Sequence, residues 1–241
     1  MNTRHHLLAA HSIIPFLLFT LVGAFALTGW LPPPSPSLSN GDTAALFRDD
    51  LIMRIGVSII VVGSPLYMGL SCAMFFQLRR IEGVAPVLST LQMISSAVTV
   101  LTVMGPGYLW LAISYNADTP AEVIVMVNNL AFFILIADVW PVILQQVCIA
   151  LCILGSRVSG TGTSVYPRWL GYANIAVIVT LIPGEFIPFF HTGPLTYTGI
   201  IGFWVVVIGF FTWAMLMWWH TVKAIKSQAS TEKSEPTAIA V

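Results

Sequence analysis

The sequence predicts an all-α protein, a polytopic membrane bundle of six transmembrane helices. Of its 241 residues, 57% are hydrophobic and 8% are charged, whereas a soluble domain carries roughly a quarter charged residues. A membrane crossing takes roughly 20 apolar residues, and the chain contains six such runs joined by short polar segments. These observations predict one transmembrane domain over residues 1–226 and a disordered cytoplasmic tail over residues 227–241.

The six apolar runs are predicted to be membrane spans. In chain order they lie near residues 12–31, 55–78, 84–115, 123–154, 169–190 and 197–219. The third and fourth exceed the length of one crossing, so they are predicted to be tilted or to carry an interfacial turn. Between the first two spans, residues 43–50 are predicted to form a short interfacial helix capped by Asn40 or Asp42.

The basic residues predict the orientation of the spans. Arg48 and Arg54 fall on one side, and the other eight of the ten basic residues fall on the opposite side. Those eight are Arg4, Arg79, Arg80, Arg157, Arg168, Lys223, Lys226 and Lys233. By the positive-inside rule, both termini are predicted to be cytoplasmic and residues 32–50 to face outward.

A second interpretation of the N-terminus is a cleaved secretory signal over residues 1–26. Arg4 precedes an apolar run that ends in Ala24-Phe25-Ala26, which has the small-x-small form of a cleavage site. The run continues through Trp30 and Leu31 without a charge, which makes it long enough to span a bilayer. This continuation favours an uncleaved first helix.

Several functional classes find no support in the sequence. The formal net charge of zero argues against a nucleic-acid partner, because such binding requires a concentrated basic surface. Cys72, Cys148 and Cys152 are odd in number and lie in spans, which favours packing over disulfides or a metal site. The chain has no Walker loop, dinucleotide-binding glycine pattern, His-Glu-x-x-His or Gly-x-Ser-x-Gly motif. We therefore expect no metal and no cofactor.

Polar residues within the spans are the candidate ligand-binding site. An aspartate at the centre of a membrane helix costs roughly 2.5–3.5 kcal/mol to insert, so its presence indicates a function or a buried partner. Asp138 lies in the fourth span and Glu185 near the outer end of the fifth. At about 100° per residue, Gln145 shares a helix face with Asp138, and Asn174 is nearly aligned with Glu185. Gln92 completes the predicted ligand-binding set.

Three spans thus each carry a polar stripe. The third span contributes Gln92, Ser95, Ser96, Thr99 and Thr102, and the fourth adds Asn128 and Gln146 to Asp138 and Gln145. Such stripes turn toward each other or toward water. Two hypotheses are therefore open: the stripes form interhelical hydrogen bonds, or they line a polar pocket or pathway.

Asp138 is expected to lie beside a helix kink. Pro141 cannot donate a hydrogen bond to the carbonyl of Ala137, which frees that acceptor and bends the helix. Burial would raise the pKa of an isolated carboxylate, so Asp138 is expected to be protonated or hydrogen-bonded to Gln92 or another polar neighbour.

Four loop segments resemble a known family. They read Pro-Pro-Pro-Ser-Pro-Ser-Leu-Ser at residues 32–39, Arg-Arg-Ile-Glu-Gly at 79–83, Pro-Arg-Trp-Leu-Gly-Tyr at 167–172 and Phe-Phe-His-Thr-Gly-Pro at 189–194. Together with the order of the spans, they resemble an uncharacterised family of small bacterial six-helix integral membrane proteins. The resemblance supports the architecture and transfers no site. We expect the chain to lie in the cell inner membrane.

Three functional hypotheses follow. The chain binds or moves a small lipophilic molecule through the bundle, or it is an accessory or scaffold subunit of a membrane complex. The third hypothesis is that the chain is a membrane-embedded enzyme with Asp138 and Glu185 as acid and base. The expected partners are membrane lipids, a small lipophilic ligand, and a protein partner or a second copy of the chain. A water-accessible cavity that reaches Asp138 favours binding or transport. A dry bundle with a broad apolar outer patch favours a subunit, and carboxyl groups close to one another favour chemistry.

Overall fold

The computed structural model describes residues 3–31, 33–48, 50–81, 86–156 and 165–234. All regular secondary structure in these ranges is helical, and six stretches are long and apolar enough to cross a membrane. They are Thr3–Leu27, Leu51–Leu78, Pro86–Tyr115, Ala121–Leu154, Arg168–Phe189 and Ile200–Glu232, called here the first to sixth spans. The prediction of an all-α, multi-pass membrane bundle with six spans is confirmed.

Most of the spans contain more than one helical segment. The first consists of Thr3–His11, Ile13–Leu21 and a π-helical segment, Val22–Leu27; the second of Leu51–Gly63, the 3₁₀ turn Ser64–Leu66 and Tyr67–Leu78. The third is one α-helix, Pro86–Tyr115. The fourth consists of Ala121–Phe132, the π-helical Phe133–Ala137 and Trp140–Leu154; the fifth of Arg168–Leu181 and the 3₁₀ helix Ile182–Phe189. The sixth consists of the π-helical Ile200–Val205 and Val206–Ser234.

The spans are arranged around the bundle in chain order. Each packs against its neighbour in sequence, and the first also packs against the sixth. We call the end of the bundle with Pro33 and Phe189 the Pro33 end, and the end with Arg79 and Arg168 the Arg79 end. One buried apolar cluster, around Trp110 and Phe132, fills the Pro33 end, and a second, around Leu70, fills the Arg79 end.

Glycine brings the first and second spans into close contact. A Cβ atom on Gly23 would lie 2.6 Å from the carbonyl oxygen of Gly56, which is closer than real Cβ contacts allow. The two backbones can therefore approach only because neither residue has a side chain. This contact holds the Pro33-end half of the first span against the second span.

The predicted short helix between the first two spans is confirmed, but its bounds and its cap differ. The helix runs over Asn40–Ala45, and the hydroxyl of Ser39 accepts a hydrogen bond from the backbone N–H of Asp42 at 3.1 Å. The expectation of a helix over 43–50 capped by Asn40 or Asp42 is wrong, because both residues lie inside the first turn. The carboxylate of Asp42 instead accepts the Ser39 hydroxyl at 2.7 Å.

The expectation of a disordered tail from residue 227 is also wrong for residues 227–234. The last helix continues to Ser234, beyond the predicted boundary at Lys226. Ile225 is fully buried, and one turn later the amide of Gln228 accepts a hydrogen bond from Gln77 Nε2 at 3.2 Å. This packing on the second span extends the helix. Residues 235–241, and Arg157 among the orienting basic residues, lie outside the described ranges.

Candidate binding cavity

Departures from α-helical geometry are concentrated at the Pro33 end of the bundle. The π-helical segments Val22–Leu27, Phe133–Ala137 and Ile200–Val205 and the 3₁₀ helix Ile182–Phe189 belong to four different spans. π-Helical segments are uncommon and occur often at functional sites, because the extra residue per turn redirects side chains and weakens the backbone ladder. Their clustering indicates that a functional site lies in this half of the bundle.

The fourth span is broken at Asp138. Its π-helical segment ends at Ala137, and the next helix begins at Trp140. Asp138 has φ −77° and ψ 64°, and the N–H of Val139 donates to the carbonyl of Ala137 at 2.8 Å. This is a tight three-residue turn. The predicted kink beside Pro141 is confirmed, and the carbonyl that proline leaves free is satisfied by the turn.

The fifth span packs directly against this break. A Cβ on Gly184 would overlap the carbonyl oxygen of Ile136 and lie 3.4 Å from Cγ1 of Val139. Glycine is therefore required at this position, because any side chain would push the 3₁₀ helix away from the turn. The contact fixes the conformation on both sides of Asp138.

A cavity of about 190 Å³ lies beside the break. Its walls come from the first, second, third, fourth, fifth and sixth spans and from the loop after Trp30, and they are almost entirely apolar. Eight of the lining side chains are aromatic, among them Phe16, Trp110, Phe132 and Phe210. The hydroxyl and carboxyl groups in the lining are those of Thr20, Thr99, Thr102 and Asp138. The cavity is thus an apolar space with one ionisable group.

From the exposed lining side chains and the contacts between spans, we infer that the cavity opens sideways, between the first and sixth spans. The two spans meet at the Arg79 end, where the indole N–H of Trp218 donates to His11 Nδ1 at 3.1 Å. Toward the Pro33 end, the first span packs mainly against the second span. The lining side chains of Leu21 and Phe25 are 38% and 48% exposed, so the opening lies on a face that lipid covers in a membrane.

Asp138 is exposed and lines the cavity. Among the described residues, no hydrogen bond or ion pair reaches its carboxylate, so the expectation of a hydrogen bond to Gln92 or another polar neighbour is wrong. The alternative expectation, that Asp138 is protonated, stays a prediction. The reason is the tight turn: an angle of about 100° per residue applies only within an uninterrupted helix. Asp138 therefore does not share a face with Gln145.

Gln92 and Gln145 instead belong to a buried polar cluster with two residues of the second span, Tyr67 and Ser71. Tyr67 Oη donates to Gln145 Oε1 at 2.6 Å, and Ser71 Oγ donates to Gln92 Oε1 at 3.0 Å. Gln92 Nε2 donates to the carbonyl of Ser71 at 3.2 Å, and Gln145 Nε2 donates to Gln92 Oε1 at 3.3 Å. For these two glutamines, the hypothesis of interhelical hydrogen bonding is confirmed.

Tyr67 and Ser71 were missed in the sequence. They lie four residues apart in the second span, the same spacing that identified the stripes on the third and fourth spans. Applying that test to the second span would have found them.

The polar cluster lies directly behind one wall of the cavity. The ring of Tyr67 packs against Phe16 and Phe210, with centroid separations of 5.5 and 5.9 Å, and both phenylalanines line the cavity. We call these three rings the aromatic floor. It separates the cavity from the hydrogen-bonded glutamines and closes the cavity toward the Arg79 end.

Asn174 and Glu185 lie apart from both features. Asn174 is fully buried, accepts the indole N–H of Trp213 at 2.8 Å and donates to the carbonyl of Leu170 at 2.8 Å. Glu185 is half-buried, and its Oε1 has no hydrogen-bond partner among the described residues. Neither lines the cavity. The five predicted site residues therefore do not converge, and a ligand-binding role for each stays a prediction.

Comparison with protein-family models, with curated proteins and with solved structures gives no match. In the described part of the chain, no three side chains of His, Cys, Asp or Glu are grouped to hold a metal ion. The fold thus defines a multi-pass membrane helical bundle with an apolar cavity that reaches Asp138.

Proposed function

We propose that this protein binds a small lipophilic molecule that enters the cavity from the bilayer, between the first and sixth spans. The observation that carries the proposal is an open, apolar cavity that reaches the helix break at Asp138. Protein interiors are close-packed, and voids larger than a water molecule are few. A cavity of about 150 Å³ holds benzene, so about 190 Å³ suits a substituted aromatic ring or a short branched chain.

Binding is better supported than passage through the bundle. The aromatic floor and the polar cluster close the cavity toward the Arg79 end, because Tyr67 is bonded to Gln145 and packed between Phe16 and Phe210. A molecule held in the cavity can return to the lipid through the gap by which it entered. Movement across the membrane would require the floor to open.

The cavity also favours binding over the two other hypotheses. A subunit needs only a packed bundle, whereas this bundle keeps an apolar cavity beside the helix break. An acid and base pair needs two carboxyl groups around one substrate, and Glu185 does not line the cavity that Asp138 lines.

The test is co-purification of a ligand with matched variants of the first span. Ala24 lines the cavity, while Ala26 is exposed and does not. Ala24→Phe should fill the space, and Ala26→Phe should add the same side chain on the lipid face. Native mass spectrometry of gently released protein should detect a bound small molecule in the wild type and in Ala26→Phe, and lose it in Ala24→Phe. Equal occupancy in all three proteins would contradict the proposal.

We further propose that the Pro33 end faces outward from a bacterial inner membrane and that both termini are cytoplasmic. The distribution of basic residues supports this orientation. Ser37 and Ser227 are exposed at opposite ends of the bundle. In a cysteine-free background, an impermeant thiol reagent added to intact cells should label Ser37→Cys and spare Ser227→Cys until the cells are permeabilised. The reverse pattern would overturn the orientation.

A further inference from the structure

We propose that the ligand is a lipophilic cation, an aryl- or alkylammonium compound whose positive charge is received by Asp138. The inference rests on the proposed binding function and specifies the class of ligand. It follows from three independent features of the cavity: an unpaired carboxylate, hydroxyl groups that offer acceptors, and aromatic walls.

The first feature is charge. Of the described residues that line the cavity, Asp138 alone is ionisable, and no lysine, arginine or histidine is among them. A carboxylate at membrane depth without a countercharge is costly, and intramembrane acidic residues usually pair with a cation or face a functional cavity. In the part of the chain that the structure describes, no basic side chain is paired with Asp138, so a cationic ligand can supply the missing charge.

The second feature is the direction of the hydroxyl hydrogen bonds. Thr20 donates to the carbonyl of Phe16 at 2.9 Å, Thr99 to that of Ser95 at 3.0 Å and Thr102 to that of Thr99 at 2.8 Å. Each hydroxyl thus uses its hydrogen within its own helix and presents only lone pairs to the cavity. These three hydroxyls can accept hydrogen bonds from a ligand but do not donate to it, which favours a cationic over an anionic head group.

The third feature is the aromatic lining. The face of an aromatic ring carries partial negative charge and attracts a cation within about 6 Å of its centroid, by roughly 0.5–2 kcal/mol. Phe16, Trp110, Phe132, Phe203 and Phe210 all contribute to the walls. These rings provide apolar contact for the body of a ligand and a favourable field for a quaternary ammonium group.

The test compares a cation with its neutral isostere. The probes are (2-phenylethyl)trimethylammonium and (3,3-dimethylbutyl)benzene, which differ by the replacement of the ammonium nitrogen with carbon. Binding of each labelled probe to the full chain in nanodiscs of zwitterionic lipid is measured by equilibrium dialysis. Empty nanodiscs correct for partition into lipid. The proteins are the wild type, Asp138→Asn, Asp138→Glu and Ala24→Phe.

The wild type should bind the cation about tenfold more tightly than the isostere, which corresponds to about 1.4 kcal/mol. Asp138→Asn should reduce this preference to within about twofold, Asp138→Glu should keep it, and Ala24→Phe should weaken both probes. If Asp138→Asn leaves the preference unchanged, or the wild type shows none, the cation proposal is overturned while binding in the cavity stands. If neither probe shows saturable binding, or Ala24→Phe weakens neither, the proposed function fails as well.

Discussion

Removing the hydroxyl of Tyr67 tests whether the polar cluster holds the bundle together. In Tyr67→Phe, Gln145 Oε1 loses the donor that lies 2.6 Å away, and both side chains are at most 2% exposed. The ring remains, so its packing against Phe16 and Phe210 is kept. The change therefore isolates one hydrogen bond between the second and fourth spans.

The expected loss of stability is about 1–2 kcal/mol. Leaving a buried acceptor without its donor costs about 1–3 kcal/mol in soluble proteins. Interhelical hydrogen bonds in membranes average about 0.6 and reach about 1.7 kcal/mol, because the unfolded chain in the membrane also finds partners. The short distance and complete burial of this bond place it toward the upper part of the membrane range.

The assay is reversible unfolding in mixed micelles with increasing sodium dodecyl sulfate, followed by circular dichroism. Tyr172→Phe is the matched control, because Tyr172 is 57% exposed, and it should change stability by less than about 0.5 kcal/mol. Combining Tyr67→Phe with Gln145→Leu should give a coupling energy of about 0.6–1.7 kcal/mol. A coupling below about 0.3 kcal/mol, with Tyr67→Phe no worse than the control, would refute the reasoning.

Two further changes test packing elsewhere. Ending the chain after Lys226 removes Gln228 and its hydrogen bond to Gln77. The free energy of unfolding in detergent should fall by about 1 kcal/mol, and Gln228→Ala should reproduce most of the loss. An unchanged midpoint of thermal unfolding would show that residues after Lys226 do not stabilise the bundle. Gly184→Ala should cost about 1–3 kcal/mol through its clash with the backbone at the break, measured by the same unfolding assay. Gly41→Ala, whose added Cβ would approach no atom more closely than 3.9 Å, should be neutral or stabilising.

The features that the sequence predicted correctly depend on local properties of the chain. A span requires a run of apolar residues, so the six spans follow from composition and order alone. The break at Asp138 follows from Pro141, because proline has no backbone N–H to donate and therefore interrupts the helix within one turn of its own position. Neither prediction needs to know which helices are neighbours.

The predictions that failed depend on features that arise only when the helices pack. The angular relation of Asp138 to Gln145 assumed one continuous helix, and the turn between them rotates the two halves. The partner of Gln92 could not be chosen from sequence, because the second and fourth spans both offer polar groups at the same depth. The cavity also depends on packing, because its walls come from all six spans and include the part of the first span that Gly23 and Gly56 hold against the second.

Asp138 gives opposite predictions for stability and for binding. If it were bonded to a buried partner, Asp138→Leu would leave that partner unsatisfied and lower stability. In the structure it lines an open cavity with no partner among the described residues, so Asp138→Leu should be neutral or stabilising by up to about 3 kcal/mol, since leucine inserts more favourably than aspartate. Asp138→Asn should fold normally, whereas Gln92→Leu should destabilise the bundle by removing the acceptor of Ser71 Oγ and one of the two acceptors of Gln145 Nε2. A loss above about 1 kcal/mol in Asp138→Leu, with none in Asp138→Asn, would show that the carboxylate has a structural partner.

If Asp138→Leu is instead more stable and binds the cation less well, the stability lost by retaining aspartate is explained by ligand recognition, as in other functional sites that trade stability for activity.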